Sequence, residues 1–318
     1  MSRGRRYRPR RRTIFRESTP LQRLLLAAAG VLMVAAVALT INYLVQGRAT
    51  RRVQEELRAQ REAVATDAPV VEATETPTAE PAPVAAAVAQ ADPPPPSATP
   101  YPLPSASTAM LPEFLSFFRR NNDMAGWLKS DAFSDVDYPV VKRDNSYYVY
   151  RDFYGRDNMA GTVFIDADNS ILPQDQNLIL HGHNMKNGTM FGKLARLLER
   201  HVLLDAPFFQ FSTLYDSQVY VPYAVSVVSI DPASPRYLSM IVPRFGSPQD
   251  QAGYVEGLRR FSAFTLPVEV GPNDRMLTMI TCHGKEDSER LVVGLRALRP
   301  DENKESLKAL LADQIITN

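Results

Sequence analysis

Three residues of this chain could together carry out nucleophilic catalysis. Cys282 is the only cysteine in 318 residues, so it cannot form a disulfide within the chain. Such a thiol is either packed in the core, where free cysteines are often found, or it is reactive. A reactive thiol must ionise, which a neighbouring imidazolium or fixed cation favours. His183 lies far upstream and Arg290 follows shortly after the cysteine, so both groups are available in the chain.

Each of these residues has a plain alternative interpretation. His183 could be a surface or capping histidine in a loop. Arg290 could be a solvated side chain paired with Glu286, Asp287 or Glu289. The sequence shows no cluster of His, Cys, Asp and Glu with ligand spacing and no glycine-rich phosphate loop, so we expect neither a metal nor a cofactor.

The candidate residues stand at the ends of short strand-like runs. Cys282 ends the apolar run 276–281, His183 follows the run 177–180, and Arg290 opens the run 290–294. Similar runs bounded by Gly, Pro, Asn or Asp occur at 147–150, 161–165 and 218–230. Helices are predicted over 113–121, 190–201, 248–263 and 301–316. Many short strands with few helices indicate a β-rich barrel or sandwich, formed by one domain at 113–318.

The first third of the chain has a different composition. Residues 1–23 contain nine Arg and one Glu, and residues 24–45 form an uncharged apolar run. Its length is that of one transmembrane helix, and the preceding arginines predict a cytoplasmic N-terminus with the rest of the chain outside. The arginines lead directly into this apolar run, which argues against nucleic-acid binding. Residues 46–112 are predicted to be a juxtamembrane helix followed by a disordered linker rich in Pro, Ala and Thr.

Several sequence blocks resemble those of sortases, and most closely class B sortases. The block Leu-His-Gly-His-Asn-Met-Lys-Asn-Gly-Thr-Met-Phe-Gly at 180–192 is the most specific match, and Thr-Met-Ile-Thr-Cys at 278–282 resembles the family's Thr-Leu-x-Thr-Cys motif. Arg-Leu-Val-Val at 290–293 resembles the strand that carries the family's arginine, and the blocks at 138–155 and 160–166 also match. Met279 replaces the usual Leu, Ile280 stands where Ser is frequent, and His181 stands where Tyr is common.

The resemblance implies a mainly β fold, an eight-stranded sortase-type barrel with several peripheral helices. One transmembrane helix and the disordered linker would precede it. It implies that Cys282 is the nucleophile, His183 the general acid and base, and Arg290 the group that stabilises the oxyanion and substrate. The substrate-binding residues that we expect beside them are Asn184, Ile280 and Thr281.

The activity implied is that of a membrane-anchored extracellular cysteine transpeptidase of a Gram-positive cell. It would cleave a C-terminal sorting motif of secreted proteins at a Thr carbonyl, form a thioacyl-enzyme, and join the protein to an amine of a peptidoglycan precursor. Two alternatives stay open at this point. One is a pilus-polymerising sortase that uses a pilin Lys as the amine, and the other is a non-catalytic surface scaffold with Cys282 in its core.

Overall fold

A computed structural model describes residues 20–67, 109–205, 207–284 and 287–318. Most of the predicted basic tail and most of the predicted linker fall on residues 1–19 and 68–108, outside the described residues. The chain divides into two compact units, which meet between Arg48 and Ala49. The first unit contains the beginning of a long helix, and the second contains the rest of that helix together with the strands of the described ranges.

The long helix α1 spans Pro20–Asp67. The predicted span 24–45 lies wholly within it and is rich in Ala and Leu, which favour helix. By length and composition the helix contains one candidate membrane span, whose apolar side chains are not buried. The exposed apolar surface of this part of α1 is therefore compatible with a membrane anchor.

Eight strands of the second unit form a closed barrel in the order β1-β2-β3-β4-β8-β9-β6-β5. Most neighbours are antiparallel, but β2 pairs with β3 and β4 pairs with β8 in parallel. The barrel strands are β1 Met124–Ser130, β2 Asp137–Lys142, β3 Phe164–Ile165, β4 Asn177–His181, β5 Phe209–Thr213, β6 Ser217–Ser229, β8 Met276–Cys282 and β9 Glu289–Ala297. A separate small sheet joins β7 Phe264–Thr265 to β10 Ile316–Thr317.

Short helices surround the barrel. They are α2 Leu115–Arg120, α3 Arg200–Asp205, α4 Pro248–Arg260 and α5 Lys304–Gln314. The side chain of Ser247 caps α4 by accepting from a backbone N–H, and Asn303 does the same for α5. The predicted eight-stranded barrel with peripheral helices is confirmed.

Two local predictions were wrong. Residues 147–150, predicted as a strand, form the 3-10 helix Tyr147–Tyr150. The Asp144 carboxylate accepts from the backbone N–H groups of Ser146 and Tyr147 and turns the chain there, which overrides the β preference of the aromatic residues. The helix predicted at 190–201 is instead a 3-10 turn, Leu194–Leu198, followed by α3.

Two apolar clusters hold the second unit together. The larger one fills the barrel and the space beneath α4 and α5. The smaller one, called the outer cluster here, lies outside the barrel wall and includes Phe117, Trp127, Tyr148 and Phe153. Leu57 of α1 belongs to this outer cluster and is 1% exposed. The part of α1 that follows Ala49 is therefore packed against the barrel.

Candidate active site

Strand register brings the three candidate catalytic residues to one level of the barrel. β4 and β8 run in parallel with a constant offset, and His181 lies opposite Ile280. Continuing this register by two residues places His183 level with Cys282. β8 and β9 are antiparallel neighbours, and Cys282 pairs with Arg290. The three residues therefore form a row at the ends of three adjacent strands.

Three hydrogen bonds tie the segment after β4 to the end of β8. The Gly182 N–H donates to the Ile280 carbonyl at 3.3 Å, and the Thr281 hydroxyl donates to the Gly182 carbonyl at 2.7 Å. The Asn184 side-chain amide donates to the Cys282 carbonyl at 2.9 Å. These bonds hold the backbone on either side of His183 close to the backbone of Cys282.

The imidazole of His183 is held by the turn at 147–150. Its Nε2 lies 2.8 Å from the Val149 carbonyl oxygen. Because a carbonyl oxygen only accepts, Nε2 carries the hydrogen, and Nδ1 is the nitrogen that remains for proton transfer. The Tyr150 ring lies beside the imidazole, with the two ring centroids 5.5 Å apart. The turn thus fixes both the tautomer and the orientation of His183.

The Cys282 side chain is exposed. A core position for this thiol, on which the scaffold alternative depended, is therefore wrong. Arg290 donates from Nη1 to the backbone carbonyls of Asp287, at 2.5 Å, and Glu289, at 2.9 Å. Within the described parts of the chain it makes no ion pair with a carboxylate, and Glu286 lies outside those parts. Backbone oxygens therefore hold the guanidinium at the cleft.

These residues open onto a cleft of about 140 Å³. Of the six predicted site residues, five line it: Cys282, His183, Arg290, Ile280 and Thr281. Asn184 is not among the lining residues; its amide binds the Cys282 carbonyl instead. The Thr281 hydroxyl is also engaged, because it donates to a backbone carbonyl. An exposed thiol beside an imidazole and a guanidinium can support acyl transfer through a covalent intermediate.

Steric constraints explain why glycine occupies three positions of the 180–192 block. A Cβ on Gly192 would lie 2.1 Å from the backbone oxygen of Met185, and one on Gly182 would lie 2.8 Å from the Phe191 ring. Gly188 has a positive φ of 81°, which side-chain-bearing residues rarely adopt. The block therefore encodes one tight loop whose backbone holds His183, since the Phe191 N–H donates to the His183 carbonyl at 3.0 Å.

The sequence indicates no role for three groups at this site. They are the Val149 carbonyl, the Tyr150 ring and the Asp166 carboxylate, which lies 2.7 Å from Nε2 of His181. Val149 acts through its backbone, so no side-chain pattern could have revealed it. Asp166 lies at the end of the matching block 160–166, but its partner His181 stands where the family usually has Tyr.

Comparisons with known proteins agree with this geometry. A sortase-domain family model matches residues 131–297. Sortase B of Listeria monocytogenes is 30% identical over 174 residues, which cover 54% of this chain and 67% of that protein. Sortase B of Staphylococcus aureus is 28% identical over 192 residues, which cover 59% and 75%. The crystal structure of a Bacillus anthracis protein described as similar to sortase B has a TM-score of 0.54 at 27% identity, covering 62% of this chain and 88% of that one. The chain therefore belongs to the sortase family and is a class B sortase, a cysteine transpeptidase.

Proposed function

We propose that this sortase is a single-pass membrane protein of a Gram-positive cell that joins secreted proteins to the cell wall. Its N-terminus would be cytoplasmic and its barrel extracellular. The arginine-rich tail and the apolar part of α1 support this topology. The substrate would be the C-terminal sorting motif of a secreted protein, and the acceptor would be an amine of a peptidoglycan precursor.

The observation that carries the proposed chemistry is the row formed by His183, Cys282 and Arg290 at the rim of the cleft. The row puts a nucleophile between a proton donor and a fixed cation. The exposed thiol leaves room for a peptide carbonyl to approach. The other two side chains are each held by backbone carbonyls, so they need little reorganisation when the charge develops.

In the acylation half of the reaction the Cys282 thiolate attacks the carbonyl carbon of the motif's Thr. The carbonyl oxygen becomes an oxyanion, which the Arg290 guanidinium stabilises. The bond to the following residue then breaks, and the departing nitrogen takes a proton from His183 Nδ1. The products are a thioester on Cys282 and a free C-terminal fragment.

In the second half the acceptor amine attacks the thioester. His183 Nδ1, which lost its proton in the first half, takes a proton from that amine. Arg290 again stabilises the oxyanion. The new amide forms as the Cys282 thiolate leaves. The imidazolium and the thiolate are regenerated together, so protons and electrons balance over the cycle.

Mass spectrometry of the acyl-enzyme tests this proposal. The purified protein is mixed with a panel of short peptides in which the residues around a Thr are varied, and mass is gained at Cys282 if a thioester forms. Cys282→Ala should abolish the adduct. His183→Gln should lower the acylation rate by about 10²–10⁴-fold, and Arg290→Gln should lower it by about 10²–10³-fold.

His201→Gln is the matched control for the histidine change, because its side chain is 78% exposed and is not among the residues that line the cleft. It should acylate at the wild-type rate. A Cys282→Ala protein that still cleaves the peptides at the wild-type rate would show that the mechanism is wrong.

A competition assay addresses the acceptor. The acyl-enzyme is offered a peptidoglycan-type amine and a Lys-containing pilin-type peptide at equal concentrations. We expect the first to resolve the thioester faster. Preferential use of the Lys side chain would instead favour the pilus-polymerising alternative.

A further inference from the structure

The helix α1 makes contacts at both segments that hold His183. One segment is the turn 147–150, whose Val149 carbonyl binds the imidazole. The other is the loop 182–192, in which the Phe191 N–H donates to the His183 carbonyl. None of the described residues of α1 lines the cleft. The helix is therefore placed to influence the position of the imidazole without touching a substrate.

The contact with the turn is made by Thr50. Its hydroxyl donates to the Asn158 side-chain oxygen at 3.0 Å, and the two residues are only 2% and 7% exposed. The same oxygen accepts from the Ala160 N–H at 2.9 Å. The backbone N–H of Asn158 donates to the Tyr150 carbonyl at 2.9 Å. Asn158 thus links α1 to the end of the turn whose Val149 carbonyl binds the imidazole.

Two further residues of α1 contact the loop. Arg51 Nη2 donates to the Asn187 carbonyl at 2.9 Å. Gln54 Nε2 lies 4.0 Å from the sulfur of Met190, and both side chains are buried. Among the described residues Met190 is the one residue other than glycine with a positive φ, 52°, and such a conformation persists only where its surroundings hold it. The Tyr138 hydroxyl, which donates to the Met190 carbonyl at 3.1 Å, and α1 are two of these supports.

The buried face of α1 is more polar than packing requires. Thr50, Gln54 and Leu57 follow each other at the spacing i, i+4 and i+7, so they share one face of the helix, and all three are buried. Apolar side chains are sufficient for packing, as Leu57 shows in the outer cluster, and a buried polar group costs free energy unless it is hydrogen-bonded. Two polar residues on this face therefore indicate that α1 does more than cover the barrel.

We propose that Thr50, Arg51 and Gln54 are positioning residues for acyl transfer. They hold the turn and the loop in place, so that the His183 imidazole keeps its orientation beside Cys282. Because they touch no substrate, they act on the rate of the chemical step and leave substrate binding unaltered. A misplacement of about 1 Å can lower such a rate by about a hundredfold. This inference rests on the proposed function, since it assumes that His183 transfers the proton.

Acylation kinetics of the full chain test the contact with the turn. Thr50→Val keeps the shape of the side chain and removes the hydroxyl, so kcat should fall about tenfold while KM stays at its wild-type value. Thr50→Ser restores a hydroxyl and should recover most of kcat. Thr317→Val is the matched control, because Thr317 is exposed, its strand β10 belongs to the small separate sheet, and it does not line the cleft. It should leave kcat and KM unchanged.

A second matched pair tests the contact with the loop. Arg51→Ala and Arg52→Ala remove the same charge from adjacent exposed positions of α1. Arg51→Ala also removes the donor to the Asn187 carbonyl and should lower kcat about threefold, whereas Arg52→Ala should leave kcat unchanged. Combining Thr50→Val with Gln54→Met should lower kcat further than Thr50→Val alone, because the turn and the loop then each lose a contact.

NMR of the chain with isotope-labelled histidine separates positioning from folding. The Nε2 hydrogen of His183 is bound to the Val149 carbonyl, so its exchange with water reports how often that contact opens. His183→Gln identifies the signal by its loss. Exchange should be faster in Thr50→Val, at a temperature at which circular dichroism shows the variant to be fully folded, and Thr50→Ser should restore the slow exchange.

Each result has a defined meaning. A wild-type kcat in folded Thr50→Val, or a lower kcat with an unchanged His183 signal, would overturn the positioning role. So would a lower melting temperature with wild-type kinetics, the result expected of a purely structural role. A His183→Gln protein that acylates at the wild-type rate would overturn the proposed function, and this inference would fall with it even if the His183 signal depends on Thr50.

Discussion

Replacing Leu57 by Ala should loosen the packing of α1 on the barrel. The Leu57 side chain is 1% exposed and lies among the aromatic rings of the outer cluster. Removing a buried Leu side chain costs about 2–5 kcal/mol, depending on how far the site collapses. A surface helix can move inward more easily than a barrel strand, so we expect about 2–3 kcal/mol. For a domain of this size the melting temperature should fall by about 5–10 °C.

Tryptophan fluorescence is a direct assay for this change. Trp127 is the only Trp in the chain, and it belongs to the same outer cluster as Leu57. The Arg61 guanidinium of α1 lies 4.9 Å from the centroid of its ring. Loosening of α1 should therefore expose Trp127 to water and shift its emission to longer wavelength, before the barrel itself unfolds.

Leu115→Ala provides the matched control, because it makes the same change at a side chain that is 42% exposed. It should change stability by no more than about 0.5 kcal/mol and leave the emission wavelength unaltered. Equal melting temperatures and equal emission in the Leu57 and Leu115 variants would refute the packing argument. The α1 residues after Ala49 would then be a tether that contributes nothing to the stability of the barrel.

Three other changes have defined outcomes. Asn184→Ala removes the amide that binds the Cys282 carbonyl, so the acylation rate should fall about tenfold with little change in melting temperature, a split that stopped-flow acylation and thermal unfolding can measure. Gly192→Ala places a Cβ 2.1 Å from a backbone oxygen, so the loop must move, and the acyl-enzyme should be lost while circular dichroism still shows the barrel. Burial opposes ionisation of Glu302, but hydrogen bonds from Arg296 outweigh it and lower its pKa. The stability that this group contributes is present above its unfolded pKa and is lost as the pH falls, so Glu302→Gln should flatten the decline in unfolding free energy between about pH 5 and 3. An unchanged slope would contradict the role of this ion pair.

The sequence determined the chemical identity of the site. Cys282 is the only thiol, and the blocks around His183 and Arg290 resembled sortases strongly enough to give their order and their expected roles. Local patterns also gave the strands that end at these residues, because apolar runs bounded by turn residues depend only on neighbours along the chain. Local patterns also predicted the helices α4 and α5. The residues that cap them, Ser247 and Asn303, lie next to each helix in the sequence.

The strand prediction at 147–150 was wrong because a tertiary contact opposed the local preference. The aromatic run 147–150 has a high strand preference, yet it forms a 3-10 helix because Tyr148 is buried in the outer cluster and the Asp144 carboxylate accepts from the backbone N–H of Tyr147. This turn is what puts the Val149 carbonyl on His183. The contact joins segments whose proximity depends on the whole fold, so no window of sequence contains it.

Tertiary structure alone decided the pairing that makes the site. The parallel register of β4 and β8 joins residues about a hundred positions apart. It brings His183 to the height of Cys282 in the barrel only because the barrel closes in that strand order. Closure depends on the shared core and on hydrogen bonding between strands that are distant in sequence. The same register sets His181 in the cleft and directs the Asn184 amide to the Cys282 carbonyl. The linear sequence does not contain this difference between the two residues.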